Sequence, residues 1–377
     1  MDNLEKIRAY LKLTLAEGIG AKIFSLLVEK FGSAEAAGLA SGGAMGRIHG
    51  IGPKKVQALQ AVTEAMIDDE LAQVDKFGAA IICLGDDAYP KALKTIYDPP
   101  AVLYVQGQLL PEDAVALAVV GSRRCTHYGL EQAERFGALL GRAGFTVVSG
   151  GARGIDTAAH RGSLAAGGRT VAVMGCGLAE IYPPENAKLF ERIIASGRGA
   201  VISELPMRTA VQPGNFPTRN RIVSGLSLGT LVIEAALPSG ALITARVAAE
   251  QGRDVFALPG RVDSPLSAGT HKLLRDGAHL TVDLDDILSP LGEVGEKIQP
   301  DEPLFQTPPS LAGDELAIFQ ALANGPKSLD ELVQQTGLDT GLAASCMTML
   351  VIKGVLAQQP GNVFARKNQA SKKKRQT

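Results

Sequence analysis

Four cysteines are spread over the 377 residues at positions 83, 125, 176 and 346, with no CxxC pair among them. That spacing argues against a structural zinc site and a disulfide framework, and makes a reducing cytoplasm the expected location. No run of 18 apolar residues free of charge occurs, so no membrane span is expected. Met1 to Tyr10 carries Asp2, Glu5, Lys6 and Arg8 without an apolar stretch, and is not read as a signal peptide. Net charge is nearly absent: 38 Lys and Arg stand against 39 Asp and Glu. This excludes a uniformly basic nucleic-acid protein but leaves room for a local basic face. The dinucleotide fingerprint GxGxxG and the Walker A pattern GxxxxGK[ST] are both missing.

Glycine is plentiful, 43 residues with no collagen period, which points to tight turns or close backbone approach to a ligand. Charge is unevenly placed. Ala118 to Asp276 holds 18 basic residues, 16 of them arginine, against 12 acids. Thr281 to Glu315 holds nine acids and one Lys, and Arg366 to Thr377 six bases and no acid. A chain longer than ~250–300 residues divides into domains. The expected pieces are a helical domain at 1–80, an α/β domain at 81–288, an acidic Pro-rich linker at 289–312, a C-terminal domain at 313–367 and a basic tail at 368–377. Ile23, Leu26, Leu27 and Phe31 have helical spacing. In the α/β part, apolar runs at Leu117–Val120, Thr146–Val148, Val171–Met174, Ala200–Ile202, Leu231–Ile233 and Val255–Leu258 alternate with helical patterns. They predict a Rossmann-like parallel sheet covered on both faces. The C-terminal piece reads as three helices and a hairpin turning at Pro360-Gly361-Asn362, a winged helix.

Ligands of such sheets bind beyond the carboxyl ends of the strands, and glycine loops collect there. They are Gly121-Ser122-Arg123, Gly150-Gly151-Ala152-Arg153-Gly154, Gly175-Cys176-Gly177 and Pro238-Ser239-Gly240. Several loops on one edge, each near a helix start and two beside an arginine, suit a multi-phosphate anion. A second constellation is Gly214-Asn215-Phe216-Pro217-Thr218-Arg219-Asn220-Arg221. Phe216 suits base stacking. Arg219 and Arg221, two apart, cannot share a helical face, so one can meet phosphate while the other pairs inside, for example with Glu234. The alternative is that Phe216 plugs the sheet. Asp156 and His160, at i and i+4, have metal-ligand spacing but no third ligand, so neither a metal nor a cofactor is expected. Neither Ser122 nor Ser239 sits in a GxSxG elbow, and no catalytic residue is expected.

These motifs resemble the DNA-processing protein A family (DprA, also called Smf). The resemblance runs in order through Val119–Arg123, Ser149–Asp156 with His160, and Gly175–Gly177 with Ile181–Asn186. It continues through Asn215–Pro217 with Arg219–Ile222, Ser239-Gly240 with Ile243–Arg246, and Val255–Gly260. It implies a non-enzymatic dimer that binds single-stranded DNA and loads RecA during natural transformation. By motif, Gly121, Ser122, Arg123, Gly150, Gly151, Arg153, Phe216, Arg219, Asn220, Arg221, Ser239 and Gly240 would line the DNA groove. Gly151 stands where many members have Leu, and Pro213 where some have a DNA-contacting Lys. Gly18-Ile19-Gly20 and Gly50-Ile51-Gly52-Pro53-Lys54-Lys55 resemble hairpins of helix-hairpin-helix modules, which makes the N-terminal part helix-hairpin-helix or SAM-like. The related α/β phosphoribohydrolases carry a Gly-Gly-x-Gly-Thr-x-x-Glu motif. Here Pro238–Thr244 takes that place without the glutamate.

Overall fold

The apolar runs become neighbouring strands of one sheet in this computed structural model. It describes residues 3–292, 294–295, 311, 313–323, 325–352, 355–359 and 363–366. Most of the expected acidic linker, the hairpin turn 360–362 and the basic tail lie outside the described residues. The first helices are α1 (Asn3–Thr14), α2 (Ala21–Phe31), α3 (Ala34–Leu39), α4 (Gly42–Met45), α5 (Pro53–Ala61) and α6 (Glu64–Lys76). Then come β1 (Ala80–Cys83), α7 (Lys91–Lys94), β2 (Val102–Gly107), β3 (Ala116–Val120), α8 (His127–Arg142), β4 (Thr146–Ser149) and α9 (Ile155–Ala165). The next elements are β5 (Thr170–Val173), α10 (Ala187–Ala195), β6 (Gly199–Ser203), α11 (Asn215–Gly225), β7 (Gly229–Val232) and α12 (Gly240–Glu250). The sheet unit ends with β8 (Asp254–Ala257), α13 (Ala268–Arg275), β9 (His279–Leu280) and α14 (Asp285–Leu288).

Among the described residues the sheet has nine strands in the order β1-β2-β6-β5-β4-β3-β7-β8-β9. From β6 to β9 all neighbours are parallel. The chain winds outward from β3 through β4 and β5 to β6, then returns to the other side of β3 as β7. That reversal leaves a crevice beyond the carboxyl ends of β3 and β7. Side chains of β3 alternate across the sheet. Leu117 and Val119 pack with Phe136 of α8 and Ile155 of α9. Ala118 and Val120 pack on the opposite face with Ile222 of α11 and Ala241 of α12.

The sequence did not foretell β1 and β2, which add to the edge antiparallel. Nor do the N-terminal helices stand apart as a separate compact unit: residues 1–301 form one unit and 302–377 another. The reason is a shared core. Leu11, Phe24, Leu27 and Ile67 pack with Tyr104, Val201, Leu189 and Phe190. A buried hydrogen bond fastens the same junction, from the Met207 amide to Glu70 Oε1 at 2.7 Å.

The second unit holds α15 (Gly313–Ala321), α16 (Leu329–Thr336) and α17 (Thr340–Ile352). Its strands β10 (Lys327–Ser328), β11 (Leu356–Gln359) and β12 (Val363–Arg366) pair in the order β10-β12-β11. Met347 and Leu350 of α17 are buried with Ile318 and Leu332, while Met349 is exposed. Ser328 caps α16 in a reciprocal box with Glu331. Among the described residues, no helix in the chain is long and apolar enough to cross a membrane.

Glu70→Ala should lower stability by ~1.5–3 kcal/mol, because it leaves the Met207 amide buried without its charged acceptor. Urea denaturation should show the loss in the single transition of the first unit. A separate early transition of the N-terminal helices would contradict the shared core.

Candidate functional site

The crevice at the winding reversal opens into a cleft of about 740 Å³, lined by Gly121, Ser122, Arg123, Phe216, Asn220, Ser239 and Gly240 among others. They arrive from three places: the loop after β3, helix α11 and the start of α12. Arg123 follows β3 and is exposed. The Ser122 amide donates to the Glu234 carbonyl beyond β7 at 2.8 Å, which ties the two loops that flank the reversal. The Glu234 carboxylate is buried and accepts from Thr126, at 2.9 Å from its amide and 2.6 Å from its hydroxyl. This fixes the start of α8. Ser239 caps α12 by accepting from the Leu242 amide. The Asn220 amide group reaches the Gly240 carbonyl at 3.4 Å, joining α11 to the start of α12.

One wall is a pair of rings flanked by two cations. The Arg123 guanidinium lies over the Phe216 ring, 5.0 Å from its centroid. Phe216 meets Tyr182 at 5.6 Å, tilted by 47°. Arg153 lies 5.7 Å from the Tyr182 centroid and forks onto Glu185 at 2.8–3.1 Å. Phe216 is half-buried and rests on Gly175, where a Cβ would stand 2.9 Å from its ring. It therefore faces the cleft and is not a plug of the sheet core. Such a wall offers π-faces to bases and guanidinium groups to phosphates. Tyr182 was missed as a site residue. Its only sequence signal was membership of the Ile181–Asn186 motif.

Both helix arginines turn inward. Arg219 is 3% exposed, under Gly150, and donates to the Val173 carbonyl at the end of β5. Burial pulls its guanidinium down to about 10, against the opposing pull of Asp156. Arg221 is 7% exposed and pairs with Glu204 at 2.6 Å and Asp98 at 3.0 Å. Burial disfavours its charge, but those two carboxylates outweigh it and raise the pKa. Neither arginine pairs with Glu234, and both are buried, Arg219 at the floor of the cleft. The expected division, one arginine outward and one inward, is replaced by two inward arginines serving different partners.

The Gly150 loop is likewise turned on itself. Its Gly150 and Ala152 amides both donate to Asp156 Oδ2, at 3.1 and 3.2 Å, so these two are not free for an anion. Gly151 is buried against Phe190, and its carbonyl accepts from Asn186. Asp156 and His160 do not converge. The Thr170 hydroxyl donates to the Val147 carbonyl, so His160 must donate to it from Nδ1, at 2.7 Å. Among the described residues, no group of three His, Cys, Asp or Glu is placed to hold a metal. Burial pushes the Cys83 thiol up to about 12 and the Cys176 thiol to about 11, which suits packing and not nucleophilic attack.

In the two hairpins, Ile19 and Ile51 are buried anchors and helices α2 and α5 begin just after the second glycines. Lys55 folds back onto the Gly50 carbonyl at 2.9 Å.

The sheet, wound to both sides of β3, defines a doubly wound α/β protein, with a cation–aromatic wall at the winding reversal. Comparison with known proteins places it further. A family model described as DNA recombination-mediator protein A matches residues 80–292, and the DprA winged helix domain matches residues 301–362. Protein Smf of Synechocystis sp. is 33% identical over 392 residues, covering 95% of this chain and 98% of that protein. DNA processing protein A of Streptococcus pneumoniae has a structure that aligns with a TM-score of 0.67 at 35% identity, over 74% of this chain and 97% of that one. The protein of the same name from Helicobacter pylori was solved for its single-stranded DNA binding mode. It aligns with a TM-score of 0.51 at 31% identity, over 56% of this chain and 95% of that one. The chain belongs to the DNA recombination-mediator protein A family, whose members carry the names DprA and Smf.

His160 generates an acid-stability prediction. Burial, reinforced by Arg219, pushes its imidazole down to about 3 in the folded chain. Its unfolded value is ~6.5, so between these limits the unfolded chain holds the extra proton. Stability should fall as pH drops through that window, with this group contributing about 1.4 kcal/mol per pH unit. His160→Gln should remove that slope. An unchanged acid limb in pH-dependent denaturation would show that His160 does not titrate on unfolding.

Proposed function

We propose that the chain binds single-stranded DNA in the cleft beyond β3 and β7, shields incoming strands and loads RecA onto them during natural transformation. The observation that carries this reading is the Arg123–Phe216–Tyr182–Arg153 row. Rings spaced between guanidinium groups suit a flexible strand whose bases splay apart while its phosphates stay near cations. The Helicobacter pylori relative, described for its single-stranded DNA binding mode, supports the same ligand here. The family's description as a recombination mediator supports the loading step. The role is binding without catalysis: Asp156, Glu234 and Arg219 are engaged in holding loops and helix starts. A cytoplasmic protein acting as a dimer completes the reading.

Arg123→Ala should weaken oligo-dT binding by ~1.5–3 kcal/mol. It should also flatten the salt dependence by about one contact, a slope change of ~0.7 for a single strand. Phe216→Ala should cost ~1–3 kcal/mol and leave the salt slope nearly unchanged. Unchanged affinity and slope in the first variant, or normal binding with a large loss of thermal stability in the second, would remove that residue from the interface.

We propose that the dimer contact lies on α13 and the neighbouring sheet edge. Leu273 packs on the α11 and α12 face of the core. Leu274, next in the helix, is half-buried, and Leu280 and Val282 beside edge strand β9 are exposed. Leu274→Arg should give a folded monomer in sedimentation. That monomer should bind short oligonucleotides normally and lose the added affinity for long ones. A folded variant that stays dimeric would move the interface elsewhere.

A further inference from the structure

The two guanidinium groups of the cleft wall stand in different states. Arg123 lines the cleft over Phe216 and makes no ion pair among the described residues. Arg153, beyond the ring of Tyr182, is already occupied. Its Nε and one terminal nitrogen meet Glu185 Oε1 at 3.1 and 2.8 Å, and the same terminal nitrogen meets Oε2 at 3.0 Å. Two carboxylate oxygens thus sit where two oxygens of a phosphate would dock on the fork.

Both partners are held by fixed backbone. Glu185 lies in the short 3-10 turn Pro184–Asn186. Next to it, buried Asn186 donates to the Gly151 carbonyl at 2.9 Å and to the Thr157 hydroxyl at 2.7 Å. Arg153 follows Ala152, whose amide is bonded to Asp156, and precedes Gly154, where a Cβ would run into the Ser122 carbonyl. The pair therefore forms without ordering two mobile segments. It is also open to water, with side chains 46% and 60% exposed. An exposed pair of this kind is weak and exchanges readily. Glu185 stays charged, since its own amide and then Arg153 hold its carboxyl below the usual carboxylate range. Asp156 and Glu234, by contrast, are turned inward, onto loop amides and onto Thr126.

We propose that Glu185 is an internal competitor for DNA: its carboxylate holds Arg153 in the free protein and must be displaced before a strand phosphate can take the same fork. This rests on the reading of the cleft as a single-strand site. Arg123 supplies its contact without such an exchange, while at Arg153 one ion pair replaces another. The displaced carboxylate stays beside the bound strand, on an anchored turn, and retakes the fork when the phosphate moves away. Glu185 therefore limits affinity and shortens the time a strand stays bound, which fits a protein that must pass strands on.

The test uses the full chain and oligo-dT of about twelve nucleotides. Glu185→Gln keeps the size of the side chain and removes its charge. It should tighten binding roughly 2- to 5-fold at low salt, the worth of an exposed ion pair. It should also steepen the log–log salt slope by ~0.7, because one more phosphate is engaged without an opposing charge. The gain should appear mainly as slower dissociation. A double variant, Arg153→Ala with Glu185→Gln, removes both members of a neutral pair and should return affinity and slope to near those of the parent. If Glu185 instead orients Arg153 for DNA, Glu185→Gln will bind more weakly. That result, or unchanged binding, overturns the proposal. So does a gain that persists in the double variant, which would show general repulsion and not competition for Arg153. The cleft reading fails differently: Arg123→Ala and Phe216→Ala would then leave oligo-dT binding intact. Failure of the competition alone leaves the losses in those two variants in place.

Discussion

The cleft depends on one buried guanidinium. Arg219 extends from α11 under the loop after β4, bonds the last carbonyl of β5 and lies in the field of Asp156, which in turn holds two amides of that loop. Three consecutive segments of the rim are thereby fixed to one helix. Gly150 is required because a Cβ there would occupy the space of the guanidinium. Burying such a charge is costly unless it is partnered, and removing either partner leaves the other exposed to that cost. What the arrangement secures is the placement of α11, and with it Phe216 one turn earlier and Asn220 one residue later.

Above this floor the surface is soft and chemically repetitive. Arg123 and Arg153 flank the paired rings of Phe216 and Tyr182 along one wall. Nothing in that row reads a particular base edge in the manner of a paired amide or a forked arginine in a duplex groove. Stacking accepts every base, and guanidinium groups accept every phosphate. A rigid base with a sequence-tolerant wall suits a protein that must hold strands of any sequence and later release them.

Much of this was legible in the sequence, and the gaps have physical causes. The parallel strands were readable because strands buried on both faces are apolar throughout, as in Ala116–Val120. The loops were readable because glycine must stand where backbone passes close to backbone. Strands β1 and β2 escaped because they join the edge antiparallel, outside the alternation of strand and helix. The roles of Arg219 and Arg221 escaped for a different reason. Their partners, Val173, Glu204 and Asp98, are far away in sequence and come near only when β5, β6 and the β1–β2 connection assemble. Pro217 reads as loop in the sequence, yet proline is tolerated in a first helical turn, and α11 begins at Asn215.

The central claim is a groove that tracks a single strand through mixed stacking and charge. A salt titration of oligo-dT binding, run beside a duplex and a mononucleotide, tests it most directly. The account predicts tightest binding to the oligonucleotide and a log–log slope of about −0.7 per phosphate engaged. It also predicts substantial affinity left at high salt, where only stacking remains. A duplex or a mononucleotide bound as tightly as the oligonucleotide, or affinity that vanishes entirely with salt, would contradict it.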